Sequence, residues 1–142
     1  MLIGERPHDA GLCPKGAKEF AVCRAIIIIG HGSRSPEANA QLLAVVDQLK
    51  LSYADDQVLA AYMEMVSPSL SEAMTTAVAK GACTILVIPC LLFQGMHVHA
   101  DIPQLIQTFA STHPGITVRM GRAIGADPLL TAILHARIEE IA

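Results

Sequence analysis

A single aliphatic run, Ala25–Ile29, ends on Gly30 and is followed within a few residues by Ser35-Pro36 and a helical repeat. Unbroken apolar runs of this length read as strands buried on both faces, which is how parallel sheets are built. The same unit recurs down the chain. Gln57–Met63, Thr84–Pro89 and Ile116–Gly121 read as three further strands, the last alternating Ile116, Val118 and Met120 with Thr117 and Arg119 like an edge strand. Each is followed by an amphipathic stretch opened by a Ser or Asp cap with proline nearby.

The caps and stripes can be named. Ser35-Pro36 opens a helix whose inward face is Leu42, Val45, Val46 and Leu49, and Ser67-Pro68 opens one carrying Leu70, Ala73, Met74, Ala77 and Val78, with Gly81 at its end. Asp101 reads as the cap of a third, with Gln104 closing a capping box over Ile102, Leu105, Ile106 and Phe109. Asp127-Pro128 opens the last, through Leu130, Ile133, Leu134, Ile138 and Ile141. The order βαβαβαβα predicts one α/β domain over residues 25–142, a three-layer fold with a four-stranded parallel sheet flanked by helices. Residues 1–24 show no period and read as a flexible N-terminal extension.

Composition removes several classes of function. The net charge is −3, so there is no basic footprint for nucleic acid. The longest apolar stretch, Ile85–Phe93, is far short of the roughly 20 residues of a membrane span. Neither the basic start nor the long apolar run of a signal peptide is present. Four cysteines, Cys13, Cys23, Cys83 and Cys90, form no C-x-x-C pair. Two of them lie in apolar runs where a free thiol acts as a small hydrophobe, and the expected location is the reducing cytoplasm. No Walker-type loop and no G-x-G-x-x-G is present, so no nucleotide is implied.

In a parallel sheet the strand-to-helix loops share one edge, and ligands bind there, where strand order reverses. The polar residues fall in those loops. Gly30-His31-Gly32-Ser33-Arg34 follows the first strand, with glycines that allow a tight turn and a close approach by a substrate. Gly95-Met96-His97-Val98-His99-Ala100-Asp101 follows the third. With strand order 2-1-3-4, His31 and His97 would face each other across the crevice. His99 shares a side with His97 if the loop is extended and otherwise points to solvent. Glu64, at the end of the second strand, reads equally as a base, a metal ligand, an orienter of imidazole or an exposed loop charge. Arg34 and Arg122, with four helix N-termini, would favour a polyanionic ligand. Met63, Met65 and Met96 could floor a large flat one.

Four segments, in order, resemble the signatures of the CbiX-type sirohydrochlorin chelatases: Ile26–Arg34 (IIIIGHGSR), Tyr62–Leu70 (YMEMVSPSL), Ile88–Pro103 (IPCLLFQGMHVHADIP) and Arg122–Leu130 (RAIGADPLL). The resemblance covers about residues 25–140, and G-x-H-V-x-x-D-I-P is its most specific part. It implies a chelatase-like domain with flavodoxin-like strand order that inserts cobalt, iron or nickel into sirohydrochlorin or a close relative without ATP. No tightly bound cofactor is then expected; the divalent metal ion is itself a substrate. Carried over position by position, His31 and His97 are the metal-binding and catalytic histidines and Glu64 is the third catalytic residue. Gly32, Ser33, Arg34, Met96 and Arg122 are the candidate substrate contacts. A single copy of the motifs resembles the short form of the family, which forms a homodimer around its tetrapyrrole. His99 and Ala100 depart from positions often polar or charged in the family. The extension offers His8, Cys13 and Cys23 as extra metal contacts. Two rivals stand beside this reading. One is a non-catalytic metal or tetrapyrrole carrier with the same pocket. The other is a histidine phosphatase, disfavoured because Gly30 occupies the place where such enzymes need arginine before the histidine.

Overall fold

The computed structural model describes residues 24–142; the extension read over residues 1–24, with His8, Cys13 and Cys23, lies outside them except for Arg24. Four parallel strands, β1 (Arg24–Gly30), β2 (Gln57–Tyr62), β3 (Thr84–Pro89) and β4 (Thr117–Met120), pair in the order β2-β1-β3-β4. The helices are α1 (Pro36–Ser52), α2 (Leu70–Ala79), α3 (Ile102–Thr112) and α4 (Pro128–Glu139), and a π-helical turn, His97–Asp101, runs directly into α3. Strand order and element order match the expectation. Arg24, the first described residue, is already part of β1, and its guanidinium forks onto the Asp56 carboxylate, at 2.9 and 2.5 Å, just before β2. Among the described residues, no helix is long and apolar enough to cross a membrane.

The continuous apolar run of β1 has a direct cause. Paired on both edges and covered on both faces, it sends Ala25, Ile27 and Ile29 into a core with α2 and α3, and Ile26 and Ile28 into one with α1. The first core holds Leu70, Ala73, Met74, Ala77, Ile85, Val87, Ile102 and Phe109. The second holds Leu42, Val46, Val58 and Tyr62. Val45 and Leu105, read as inward, are 45% and 37% exposed. Each borders a cavity beside the site described below, so the stripe there faces an opening instead of the sheet.

Three local readings are corrected. α2 is capped by Ser69, the residue directly after Ser67-Pro68, because the Pro68 carbonyl accepts the Tyr62 N–H and holds that segment beside the end of β2. Ser69 and Glu72 close a capping box, and the hydrogen bond from the Ser69 N–H, seconded by its hydroxyl, holds the Glu72 carboxyl below its ordinary pKa. A lowered carboxyl pKa contributes stability above its unfolded value, and that contribution is lost as pH falls through the folded value. Ser69→Ala removes the hydroxyl that accepts the Glu72 N–H and should cost about 1 kcal/mol as a lost cap, read from urea melts, while the Ser69 N–H that holds the Glu72 carboxyl remains. Cys83, read as a free thiol, is disulfide-bonded, whereas Cys90 is free.

The third correction concerns α4. It is capped as expected, with the Asp127 carboxylate accepting the Leu129 N–H at 2.9 Å. Yet none of its residues is buried, and Leu129, Ile133, Leu134 and Ile138 are more than half exposed. It follows an edge strand only four residues long, and among the described residues nothing closes over its apolar side.

Candidate functional site

Two loops are fastened together at the carboxyl edge of the sheet. Beyond the last ladder pair, Gly30 with Tyr62, the Met63 N–H donates to the Gly30 carbonyl at 2.9 Å and the Glu64 N–H to the His31 carbonyl at 3.1 Å. The pairing of β1 with β2 thus continues one step into both loops and sets Glu64 beside His31. Glu64 is fixed from the other side too. Met65 adopts φ of 70° and the Val66 N–H donates to the Glu64 carbonyl at 2.8 Å, a three-residue turn of the strained kind.

Gly32 is what allows the two loops to touch. Its φ is +89°, and a Cβ there would stand 2.0 Å from the Glu64 carbonyl oxygen. Only glycine fits that approach. The backbone N–H and carbonyl of Ser33 are both bonded to the Asn39 side chain, and its hydroxyl accepts the Ser35 N–H. Those bonds anchor the His31 loop to the first turn of α1.

The third contributor comes from β3, the other neighbour of β1. The π-helical turn after it brings His97 to His31, ring centroids 5.2 Å apart and planes at 75°. The Nδ1 of His31 lies 3.3 Å from the Gly32 carbonyl and 3.5 Å from a Glu64 carboxylate oxygen. The Nδ1 of His97 lies 2.7 Å from a carboxylate oxygen of Asp101. All four side chains are about half exposed, the histidines at 53% and 40%. Two imidazoles and two carboxylates thus share one solvent-facing spot at the reversal of strand order.

A cavity lies on each flank. One, of about 370 Å³, is lined by His31, Asn39, Leu42, Tyr62 and Cys90. The other, of about 360 Å³, lies among Met63, His97, Asp101, Gln104, Leu105 and Thr108. Burial pushes the Cys90 thiol pKa up, so near neutral pH the free thiol is protonated.

The structure thus brings His31, His97 and Glu64 together and places Gly32 at their junction. Met96, mostly exposed, adjoins His97, and Arg34 is exposed on the His31 loop. Arg122 begins the loop whose Ile124 and Gly125 N–H groups bond to the carbonyls of Leu91 and Leu92, just beyond β3. His99 does not join His97, because the segment is helical and residues two apart on a helix do not face each other.

Asp101 is the site residue that sequence reading missed. It was read as the cap of α3, but it lies inside the helical turn with φ −71° and ψ −48° and makes no capping bond. The signal was present as His-x-x-x-Asp, the four-residue spacing that puts two side chains on one helical face. Among the described residues, no group of three or more His, Cys, Asp or Glu side chains is placed to enclose a metal ion.

Comparison with known proteins places the fold in a family. The chloroplastic sirohydrochlorin ferrochelatase of Arabidopsis thaliana is 36% identical over 114 residues, covering 80% of this chain and 51% of that protein. The sirohydrochlorin chelatase SirB from Bacillus subtilis subspecies spizizenii, solved in complex with cobalt, superposes with a TM-score of 0.76 at 30% identity, over 84% of this chain and 51% of that one. A cobalamin (vitamin B12) biosynthesis CbiX protein from Marinobacter aquaeolei VT8 superposes with a TM-score of 0.70 at 27% identity, over 82% of this chain and 95% of that one. The chain spans about half the length of the first curated relatives it matches, 51%, 47% and 45% of them. The CbiX family itself matches residues 25–141, the whole span from β1 to the end of α4, and to that family this chain belongs.

Proposed function

We propose that the chain is a sirohydrochlorin chelatase: it inserts cobalt, iron or nickel into sirohydrochlorin or a close tetrapyrrole relative without ATP, and works as a homodimer. The observation that carries this reading is the His31–His97 pair, 5.2 Å apart at the sheet's switch point with carboxylates against both rings. The relatives' names support the reaction, since those proteins are a sirohydrochlorin ferrochelatase and a sirohydrochlorin chelatase in complex with cobalt.

Insertion makes two demands. A hydrated divalent ion must shed water, and the macrocycle must lose two pyrrole N–H protons. Neutral imidazole is a good ligand for cobalt, nickel and iron(II), and it is also a base near neutral pH. Resident structural metal sites close around their ion with about four ligands. Two exposed imidazoles instead leave coordination positions for water and then for pyrrole nitrogens, which suits an ion in transit. His31 and His97 hold the ion, and as it passes to the pyrrole nitrogens each ring nitrogen so freed accepts one of the two N–H protons. Glu64, whose carboxylate lies against the His31 ring, stabilises that ring as it becomes charged.

The substrate is a flat polycarboxylate. Gly32 and Met96 border the histidines, Ser33 shapes the loop, and Arg34 with Arg122 and the helix N-termini orient the peripheral carboxylates. The uncovered apolar side of α4 supports the homodimer, because a run of half-exposed leucine and isoleucine side chains is stabilised by a partner surface.

The test is the visible spectrum of metal-free sirohydrochlorin mixed with cobalt, iron(II) or nickel and catalytic amounts of protein. Acceleration well above the metal-only control is expected and would rank the metals. A stoichiometric binding spectrum without acceleration would replace the chelatase by a carrier.

A further inference from the structure

We infer that Asp101 is the positioning residue of the site: it fixes His97 in the Nδ1–H form and so aims the lone pair of Nε2 at the incoming metal and pyrrole protons. The inference rests on the chelatase reading and adds to it a residue and a reason why His97 is the better organised of the two histidines.

The argument begins with the hydrogen bond. An ionised carboxylate only accepts, so at 2.7 Å from Asp101 the Nδ1 of His97 must donate. A neutral imidazole has one N–H, which leaves Nε2 as the unprotonated atom. A ligand to a divalent ion needs such a nitrogen, and so does a base. Histidines that bind metals commonly donate their other nitrogen to a carboxylate, which holds the ring orientation and raises its basicity.

His31 has no equivalent support. Its Nδ1 contacts are longer, 3.3 Å to a carbonyl and 3.5 Å to Glu64. Of the two rings, His97 is therefore held by the short charge-assisted bond and His31 is the freer.

The backbone supports the same assignment. An aspartate just ahead of α3 is placed to cap it, yet Asp101 makes no capping bond and turns its carboxylate to His97. The turn between them is wide, closed by the Ile102 N–H on the His97 carbonyl five residues back. Such π-turns concentrate at functional sites. The pair also forms one wall of the cavity shared with Met63, Gln104, Leu105 and Thr108, so the ring it orients faces a space open to a ligand.

The experiment compares wild type with Asp101→Asn, Asp101→Ala and Asp101→Glu. Nitrogen-15 NMR on histidine-labelled protein reads the tautomer of His97, its resonances identified by their loss in His97→Ala. Wild type should show protonated Nδ1 and bare Nε2, whereas Asp101→Asn, whose amide can also donate, should show a mixed or reversed pattern. In turnover, Asp101→Asn and Asp101→Ala should lose about 10–100-fold in kcat with the tetrapyrrole KM unchanged, and Asp101→Glu should recover part of the loss. A wild-type His97 protonated at Nε2, or an Asp101→Asn variant with full kcat, overturns the inference. If wild type shows no turnover, the chelatase reading fails by itself. The tautomer and the cobalt(II) affinity of the four proteins, measured without tetrapyrrole, then decide the role of Asp101.

Discussion

His97→Ala should lower metal insertion by about 10²–10⁴-fold while leaving the protein folded. Both expectations follow from where the residue sits. The ring is 40% exposed and its hydrogen bond goes to an equally exposed carboxylate, so its removal opens no cavity and strands no buried polar group. The turn is held by Val98 and Ile102, which are buried beneath it. On the proposed mechanism, what disappears is one of two imidazoles serving the metal and the pyrrole protons, leaving His31, whose own contacts are longer, as the remaining one. Thermal melts should match wild type, and initial rates from the sirohydrochlorin spectrum should carry the whole effect. Wild-type rates in this variant would remove His97 from the mechanism and leave His31 with Glu64 to account for it.

Gly32→Ala should have the second large effect, on the fold and the site together. A Cβ at this position meets the Glu64 carbonyl oxygen at 2.0 Å and its carbon at 3.1 Å, both backbone atoms that no side-chain rotation moves aside. The φ of +89° adds left-handed strain of about 1–3 kcal/mol, more than the entropy an alanine removes from the unfolded chain. The melting temperature should fall by several degrees. Relief of the clash must also separate the His31 loop from the Glu64 turn, so kcat should fall in the protein that remains folded. Gly115→Ala is the control, since a Cβ there meets nothing within 4 Å. Equal melting temperatures for the two variants would show that the loops part at no cost.

Most of this organisation was legible in the residues. The isoleucine run and the capped helical repeats specify a parallel sheet, and a parallel sheet puts His31, Glu64 and His97 on one edge. Strand boundaries were read within a residue or two, because a doubly buried strand must be apolar from end to end. Ser35 and Asp127 cap their helices as read, since side-chain capping is a local interaction.

Other features depended on contacts between segments. Asp101 had two acceptable partners, the first N–H groups of α3 or the ring of His97, and the choice turned on whether His97–Asp101 was extended or helical. The same choice removed His99 from the site. Ser67-Pro68 read as the start of α2, but the Pro68 carbonyl accepts the Tyr62 N–H and the cap passes to Ser69. The apolar stripe of α4 says that a surface seeks cover without saying which surface provides it. Local sequence carries propensity, periodicity and caps, which act over a turn or two of chain and fix the order of elements and the edge where polar loops gather. The pairing of particular side chains across that edge is set by which backbone groups the neighbouring strands leave free, and that becomes definite when the sheet closes.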